Sequence, residues 1–466
     1  MSSEPTTGGE TAQAASPEAS TRHLVPFREA LRYWFRLGFI TFGGPAGQIA
    51  IMHEELVDRK RWIGEERFLH ALSFCMLLPG PEAQQLAIYI GWLLNGIAGG
   101  IVAGLLFVLP AFFLIMGLSW TYVTHGDVDW VAAIFYGLRA AVVGLVFAAL
   151  LRVAARATRN PIAIAIAAAA FIALFIVKVP FPLIIACAAL IGFVGSRLRP
   201  ELFQSAEAEV EEDSSDVVIA DDHQTTISKP GVRSLKVLGL GLLVWWGPLL
   251  IVIAIRGFED TLSKEAIFFS QTAMITFGGA YAVLSYINQA AVQNFGWLAP
   301  GQMVTGLGLA ESTPGPLIMV TEFVGFVAAY RYPGGLDPVV AGILGATITT
   351  WATFAPCFLW IFLGAPYIER LRDHKTLNAA LSSVTAAVVG IILNLAVVFG
   401  LTVLFNEVEQ GKALGVTFPI PKLASVDWFA LVVAATVFVG IWRYRWPVPW
   451  VVAGSALAGL IYRLAF

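Results

Sequence analysis

Residues 79–85, Pro-Gly-Pro-Glu-Ala-Gln-Gln, set a helix breaker, a carboxyl and two primary amides side by side. Pro79, Gly80 and Pro81 cannot continue a regular helix, because proline removes a backbone donor and clashes with the preceding turn. Pro81 suits the start of a new helix, whose first N–H groups, those of Glu82, Ala83 and Gln84, then have no partner within the helix. Those donors, with the positive end of the helix dipole, attract an anion. Gln84 and Gln85 add side-chain amides that donate to an oxyanion. Arg139 brings a planar fork of donors that fits a tetrahedral oxyanion. Glu82 repels a bound dianion when ionised, which makes it a candidate proton carrier. The chemistry supported by these residue types is recognition of an anion, with no covalent bond made or broken.

The pattern occurs twice. Thr41-Phe42-Gly43-Gly44 returns as Thr276-Phe277-Gly278-Gly279, and Pro79-Gly80-Pro81 as Pro314-Gly315-Pro316, each shifted by 235 residues (276 − 41 and 314 − 79). Trp62 and Trp297 keep the same shift, and 41–81 laid on 276–316 matches at 10 of 41 positions. Farther on, Pro110 pairs with Pro356 and Ala140–Gly144 with Ala386–Gly390, a shift of 246, so 11 extra residues belong near Tyr330–Asp337. A shared offset across separated signals indicates duplication of a whole unit. The candidate substrate-binding residues are Gly43, Gly44, Gln48, Pro79, Gly80, Pro81, Gln84, Gln85 and Arg139 in the first copy. Gly278, Gly279, Thr313, Pro314, Gly315 and Pro316 are their counterparts in the second. The copies differ: Glu82-Ala83-Gln84-Gln85 stands against Leu317-Ile318-Met319-Val320, Gln48 against Val283, and Arg139 against Thr385. Glu311 and Glu322 flank the second Pro-Gly-Pro and join Glu82 as proton-coupling candidates. Each feature also has a plainer reading. A proline break can be a packing kink, a Gly-Gly pair a close helix contact, and a buried Arg the structural partner of a carboxylate.

The elements that hold these residues belong in lipid. The chain is 58% hydrophobic and 13% charged, where a soluble domain carries about 25% charged residues. Apolar runs of roughly 20 residues, the length of a membrane-spanning helix, recur along it. They lie near 28–52, 67–95, 97–122, 130–155, 160–177, 181–197, 235–255, 265–290, 301–330, 338–365, 377–405, 427–442 and 447–464. They do not alternate as β-barrel strands do. We expect an all-α polytopic membrane protein of about 13 segments: two homologous six-segment units joined by one extra helix. Six crossings plus one invert the second unit relative to the first. We expect 67–95 to cross as two half-helices; taken alone as re-entrant, it would leave five crossings per unit and make the repeats parallel. The expected divisions are a disordered tail over 1–25, a first unit over 26–198, an acidic cytoplasmic linker over 199–234, a connecting helix over 235–256 and a second unit over 257–466. The tail has neither the basic nor the apolar region of a signal peptide. Lys and Arg clusters place the N-terminus in the cytoplasm, with one exception: Arg59, Lys60, Arg61 and Arg67 would fall outside.

Phe-Gly-Gly-Pro-Ala-Gly-Gln at 42–48, Leu-Pro-Gly-Pro-Glu-Ala-Gln-Gln at 78–85, Phe-Gly-Gly-Ala-Tyr at 277–281 and Thr-Pro-Gly-Pro at 313–316 resemble the chromate ion transporter family in its long, two-unit form. The likeness spans about 27–465. It implies a protein of the bacterial cytoplasmic membrane that exports chromate, driven by the membrane potential or a proton gradient, and confers chromate resistance. It also implies halves of opposed orientation, in agreement with the parity of the segments.

The residues themselves support an oxyanion but do not choose between chromate and sulfate, so a sulfate transporter or exchanger is the alternative. A passive channel and an intramembrane enzyme are the remaining readings. The enzyme is disfavoured because there is no HExxH or GxSxG signature and the histidines are scattered. No P-loop is present. The separated Cys75, Cys187 and Cys357 form neither a disulfide framework nor a metal site. No cofactor or metal is expected. The expected partners are chromate (or sulfate) and the lipid bilayer, with a homodimer as a further candidate and no nucleic acid.

Overall fold

A computed structural model describes residues 25–42, 44–158, 160–199, 230–277, 280–365, 375–413 and 416–465. The expected disordered tail and nearly all of the acidic linker lie outside the described residues. The first unit comprises α1 (Phe27–Ile40), α2 (Gly44–His53), α3 (Glu65–Leu77), α4 (Glu82–His125), α5 (Asp129–Ala157), α6 (Pro161–Phe175) and α7 (Phe181–Leu198). α8 (Pro230–Arg256) leads to the second: α9 (Thr261–Ile275), α10 (Ala280–Gln289), α11 (Gln302–Ser312), α12 (Val320–Arg331), α13 (Pro338–Gly364), α14 (Lys375–Leu404), α15 (Trp428–Tyr444) and α16 (Val448–Ala465). π-Helical turns extend α2 over Glu54–Arg59 and α10 over Ala290–Asn294. An antiparallel hairpin, β1 (Val408–Ala413) and β2 (Val416–Pro421), separates α14 from α15.

All thirteen apolar segments are present, but four of them double back. Lys60 Nζ returns to within 3.5 Å of Glu29 Oε1, and Trp62 packs edge-on against Tyr33 with ring centroids 5.4 Å apart. α1 and α2 are thus a hairpin with its tip at Thr41. Trp297 meets Phe268 in the same way at 5.8 Å, one repeat later at both positions. α3 and the first limb of α4 form the next hairpin, with the Pro-Gly-Pro at the tip. α4 reverses sharply at Asn95 and Gly96, where Gly96 takes φ +64° and ψ −156°, a conformation suited to glycine. Asn95 Nδ2 then donates to Val25 O at 2.9 Å, back at the entry face. In the second unit, α11 and α12 close in the same manner: Arg331 Nη2 donates to Gln302 Oε1 at 3.1 Å and Nη1 to Trp297 O at 2.9 Å.

The expectation that 67–95 crosses is therefore corrected, and 28–52, 265–290 and 301–330 share the correction. The physical reason is limb length. α1, α3, α9 and α11 have 14, 13, 15 and 11 residues, roughly 17–23 Å at 1.5 Å per residue, short of the ~30 Å of a hydrocarbon core. Among the described residues, seven helices are long and apolar enough to cross (α4, α5, α7, α8, α13, α14 and α16), and α6 and α15 are shorter apolar helices. Each unit then contributes four spans in place of six. Both counts are even, so the single α8 still turns the second unit upside down. Doubling back also removes the charge exception: Arg59, Lys60 and Arg61, followed by Arg67 in the first turn of α3, return to the face that holds α1's Glu29.

The units are interlocked. α5 packs on α15 and α16 of the other unit, and α14 packs reciprocally on α6 and α7. Lipid gives helices no hydrophobic reason to associate, so small residues and close approach do the work. A Cβ on Gly144 would strike the Ala434 carbonyl, and one on Gly390 that of Ala167. Gly137 lies against Gly459, and Gly192 against Ser383, in the same reciprocal sense. The partners Ala167 and Ala434 are 267 residues apart (434 − 167), where Gly144 and Gly390 are 246 apart; the difference is accommodated at the β1–β2 hairpin.

Candidate functional site

The tips of the hairpins cross at one point. Gly80 N–H donates to Thr276 O at 2.8 Å, and Gly315 N–H donates to Thr41 O at 2.8 Å. Donors and acceptors are both related by the 235-residue shift, so each Pro-Gly-Pro is pinned to the Thr-Phe-Gly-Gly break of the opposite unit. Gly80 and Gly315 have φ of +123° and +114°, where only glycine is unstrained. A Cβ on Gly80 would lie 2.9 Å from Cys357 Sγ, and one on Gly315 would collide with Ala111 Cβ. Ala111 and Cys357 are themselves equivalent at the 246-residue shift, so the crossing is two-fold to the level of single contacts.

Four helical starts open onto this crossing. α2 contributes Pro45 and Gln48, α4 contributes Pro81, Glu82 and Ala83, α10 contributes Ala280, and the turn Leu317–Met319 that leads into α12 contributes Leu317 and Ile318. In each case the second limb of a hairpin begins at its tip, so the N-terminal ends point inward together. No side chain caps the start of α4. Backbone donors and dipoles of four limbs thus bear on one apolar-walled gap. Its free volume is about 10 Å³, the room of about one water. The described conformation is closed at this point.

The candidate residues fall into distinct groups around it. Gln48 is fully buried, lines the gap and donates its amide N–H to Gly315 O. Pro81, Glu82 and Pro316 line the gap. Gly44 takes φ +71° at the start of α2. Pro79 and Pro314 precede the crossing glycines, and Gln85 Nε2 turns back to Pro79 O at 2.8 Å, closing its own break. Gln84 is buried, does not line the gap, and has its amide oxygen unbonded. Thr313 caps the end of α11 with its hydroxyl on Leu309 O at 3.0 Å. Glu311 accepts a hydrogen bond from Tyr281, and Glu322 is buried with neither carboxyl oxygen bonded. Gly43, Gly278 and Gly279 lie outside the described residues.

Arg139 is elsewhere. Its Nε donates to Thr305 Oγ1 at 2.7 Å, and it lines an open vestibule of about 420 Å³ together with Tyr122, Asp127, Tyr136, Arg331 and Arg463. The vestibule lies at the outer end of the α11–α12 hairpin, whose tip is at the crossing.

Three further polar groups stand out in the structure that the chain alone did not single out. The carbonyls of Thr41 and Thr276 are backbone atoms, and the only signal for them was the repeated phrase that contains them. Glu265 on α9 is fully buried with both oxygens unbonded, and stands where the first unit has Ala30. A carboxyl inside an apolar segment was the available signal. Among the described residues, no group of three or more His, Cys, Asp or Glu side chains could hold a metal ion.

Inverted repeats, discontinuous helices and a site at their meeting point define a polytopic membrane transporter. The family model described as chromate transporter matches residues 28–193 and 264–460, and the chain belongs to that family. It is 27% identical over 446 residues to a probable chromate transport protein of Synechococcus elongatus, covering 95% of this chain and 98% of the relative. It is 28% identical over 449 residues to the chromate transport protein of Cupriavidus metallidurans, covering 95% and 96%, and 29% identical over 387 residues to that of Pseudomonas aeruginosa, covering 80% and 82%. No solved structure matches the chain.

Proposed function

We propose that this chain is a secondary transporter that exports chromate across the bacterial inner membrane and so confers chromate resistance. The observation that carries the reading is the convergence of four helical starts on one gap. Relatives named as chromate transport proteins supply the substrate. In the closed state the Gly80 and Gly315 amides donate to threonine carbonyls. The oxygens of a tetrahedral dianion can replace those carbonyls, one from each side. Each bond exchanged is worth only ~1 kcal/mol net, so parting the tips is cheap when an anion takes their place. Gln48, bonded to Gly315 O in the closed state, is released by the same movement and adds a donor. Inverted hairpins allow the pair to part toward either face in turn.

Glu82 lines the same gap. A bare carboxylate next to a dianion in a dry site is costly, so proton uptake on Glu82 accompanies anion entry; the loaded site then carries one net negative charge outward, a movement that the inside-negative membrane potential drives and that depends on pH. Glu311 and Glu322 are the further candidates on the second unit. The Lys- and Arg-rich face, which carries the start of α1, the end of α2 and the start of α3, is the cytoplasmic one.

Sulfate has the same charge and shape, and helix starts serve it equally. The deciding experiment is uptake of labelled chromate by everted membrane vesicles under imposed pH and voltage gradients, with sulfate as competitor. Gradient-dependent chromate accumulation is expected. Accumulation of sulfate with none of chromate overturns the substrate, and chromate movement that never exceeds equilibrium overturns active transport.

A further inference from the structure

The vestibule is a site in its own right. Arg139, Arg331 and Arg463 reach it from α5, α12 and α16. Among the described residues none of the three forms an ion pair with a carboxylate. Each is oriented by a neutral group instead. Arg139 Nε is held by Thr305 Oγ1 at 2.7 Å, which leaves its terminal nitrogens for other acceptors. Arg331 is set by Trp297 O and Gln302 Oε1. The Arg463 guanidinium lies 4.8 Å from the centroid of the Tyr136 ring. Neutral acceptors and a ring face fix a guanidinium without cancelling its charge. Asp127, the acidic residue of the lining, is exposed, and Asp427 accepts a hydrogen bond from Tyr136 at 2.6 Å. Three guanidinium groups face one exposed carboxylate in the lining, and the excess positive charge is a cost that an anion between them lowers.

We infer that this vestibule is a second binding site for a tetrahedral oxyanion dianion, distinct from the gap at the hairpin tips and loaded from the face opposite the Lys- and Arg-rich one. α11 separates the two: it runs from Gln302 at the vestibule to Ser312 beside the tip, 11 residues, or about 16 Å. Two anions can therefore be held at once. An anion leaving the gap is received by the arginines, and an anion already there opposes its release. The inference rests on the oxyanion reading of the chain. Because the site is open to water, its affinity falls with ionic strength.

Calorimetric titration of the purified full-length protein with sodium chromate, and separately with sodium sulfate, tests it. Two classes of site are expected. Arg463→Gln, at an exposed position, and Arg139→Gln should each weaken one class at least tenfold and leave the other, with Arg463→Lys restoring part of the loss. Gln48→Val should do the reverse. Two classes unaffected by either arginine variant, or one class that Gln48→Val alone removes, overturns the vestibule site while leaving the oxyanion reading intact. A wild-type protein that binds neither anion overturns both.

Discussion

Gly80 and Gly315 carry the closest test of the crossing. Both occupy positive φ and both back onto a residue of the opposite unit, Cys357 and Ala111. Gly80→Ala is expected to cost about 1–3 kcal/mol of backbone strain and, with Cys357 Sγ 2.9 Å from the new Cβ, to abolish chromate resistance. Adding Cys357→Ala removes one of the two close contacts, leaving Gln85 Nε2 at 2.9 Å and the backbone strain, so resistance should recover only in part. Growth on chromate, with membrane abundance measured alongside, checks this. Glu82 makes a separate prediction. Glu82→Gln should flatten the pH dependence of chromate uptake in vesicles while leaving voltage-driven movement measurable, and a pH profile identical to wild type removes Glu82 from proton coupling. Pro-Gly-Pro, Gln48 and Glu82 were legible at this scale because their chemistry resides in residue type. Thr41 and Thr276 were not, because what they contribute is a carbonyl that every residue possesses.

Helix packing puts the second kind of constraint on the chain. α5 meets α15 and α16 through Gly144 and Gly137, and α14 meets α6 and α7 through Gly390 and the Ser383–Gly192 contact. Such interfaces depend on backbone proximity, which any branched side chain destroys. Gly137→Val, whose new Cβ would enter the Ser455 carbonyl, should sharply lower the yield of folded protein in the membrane. Gly117→Val, at a position with nothing within 4 Å, should leave the yield near wild type. Detergent-solubilised yield and thermal unfolding of the two variants check the contrast. The repeat at Ala140–Gly144 and Ala386–Gly390 announced that these helices are equivalent. Their exchange of partners between units was not announced, since a small-residue stripe says that something comes close and not what.

At the scale of the whole molecule, the doubling back of four segments determines sidedness. With thirteen crossings, Arg61 and Asp127 would face the same compartment. With nine crossings and four hairpins, Arg61 returns to the face where α1 begins and Asp127, beyond the second limb of α4, faces the opposite one. Single-cysteine variants Arg61→Cys and Asp127→Cys, on a background lacking Cys75, Cys187 and Cys357, should react with a membrane-impermeant maleimide from opposite sides of sealed vesicles. Labelling from the same side would restore the thirteen-crossing topology and dissolve the hairpin crossing with it. The inversion of the units survives either way, because four and six are both even and α8 supplies the odd crossing.

The linear chain was sufficient to establish residence in lipid, the duplication, the parity that inverts one copy and the breaks where helices start anew. Each of these is written in hydropathy, spacing or backbone chemistry along a single strand of residues. Folding in three dimensions settled whether an interrupted apolar run goes through or turns back, and sent Arg139 to a vestibule away from Gln48 and Glu82. The freed backbone groups at a break must find partners in a medium without water, and here the partner of Gly80 is Thr276, that of Gly315 is Thr41. Those pairs lie about two hundred residues or more apart along the chain, beyond the reach of any local pattern.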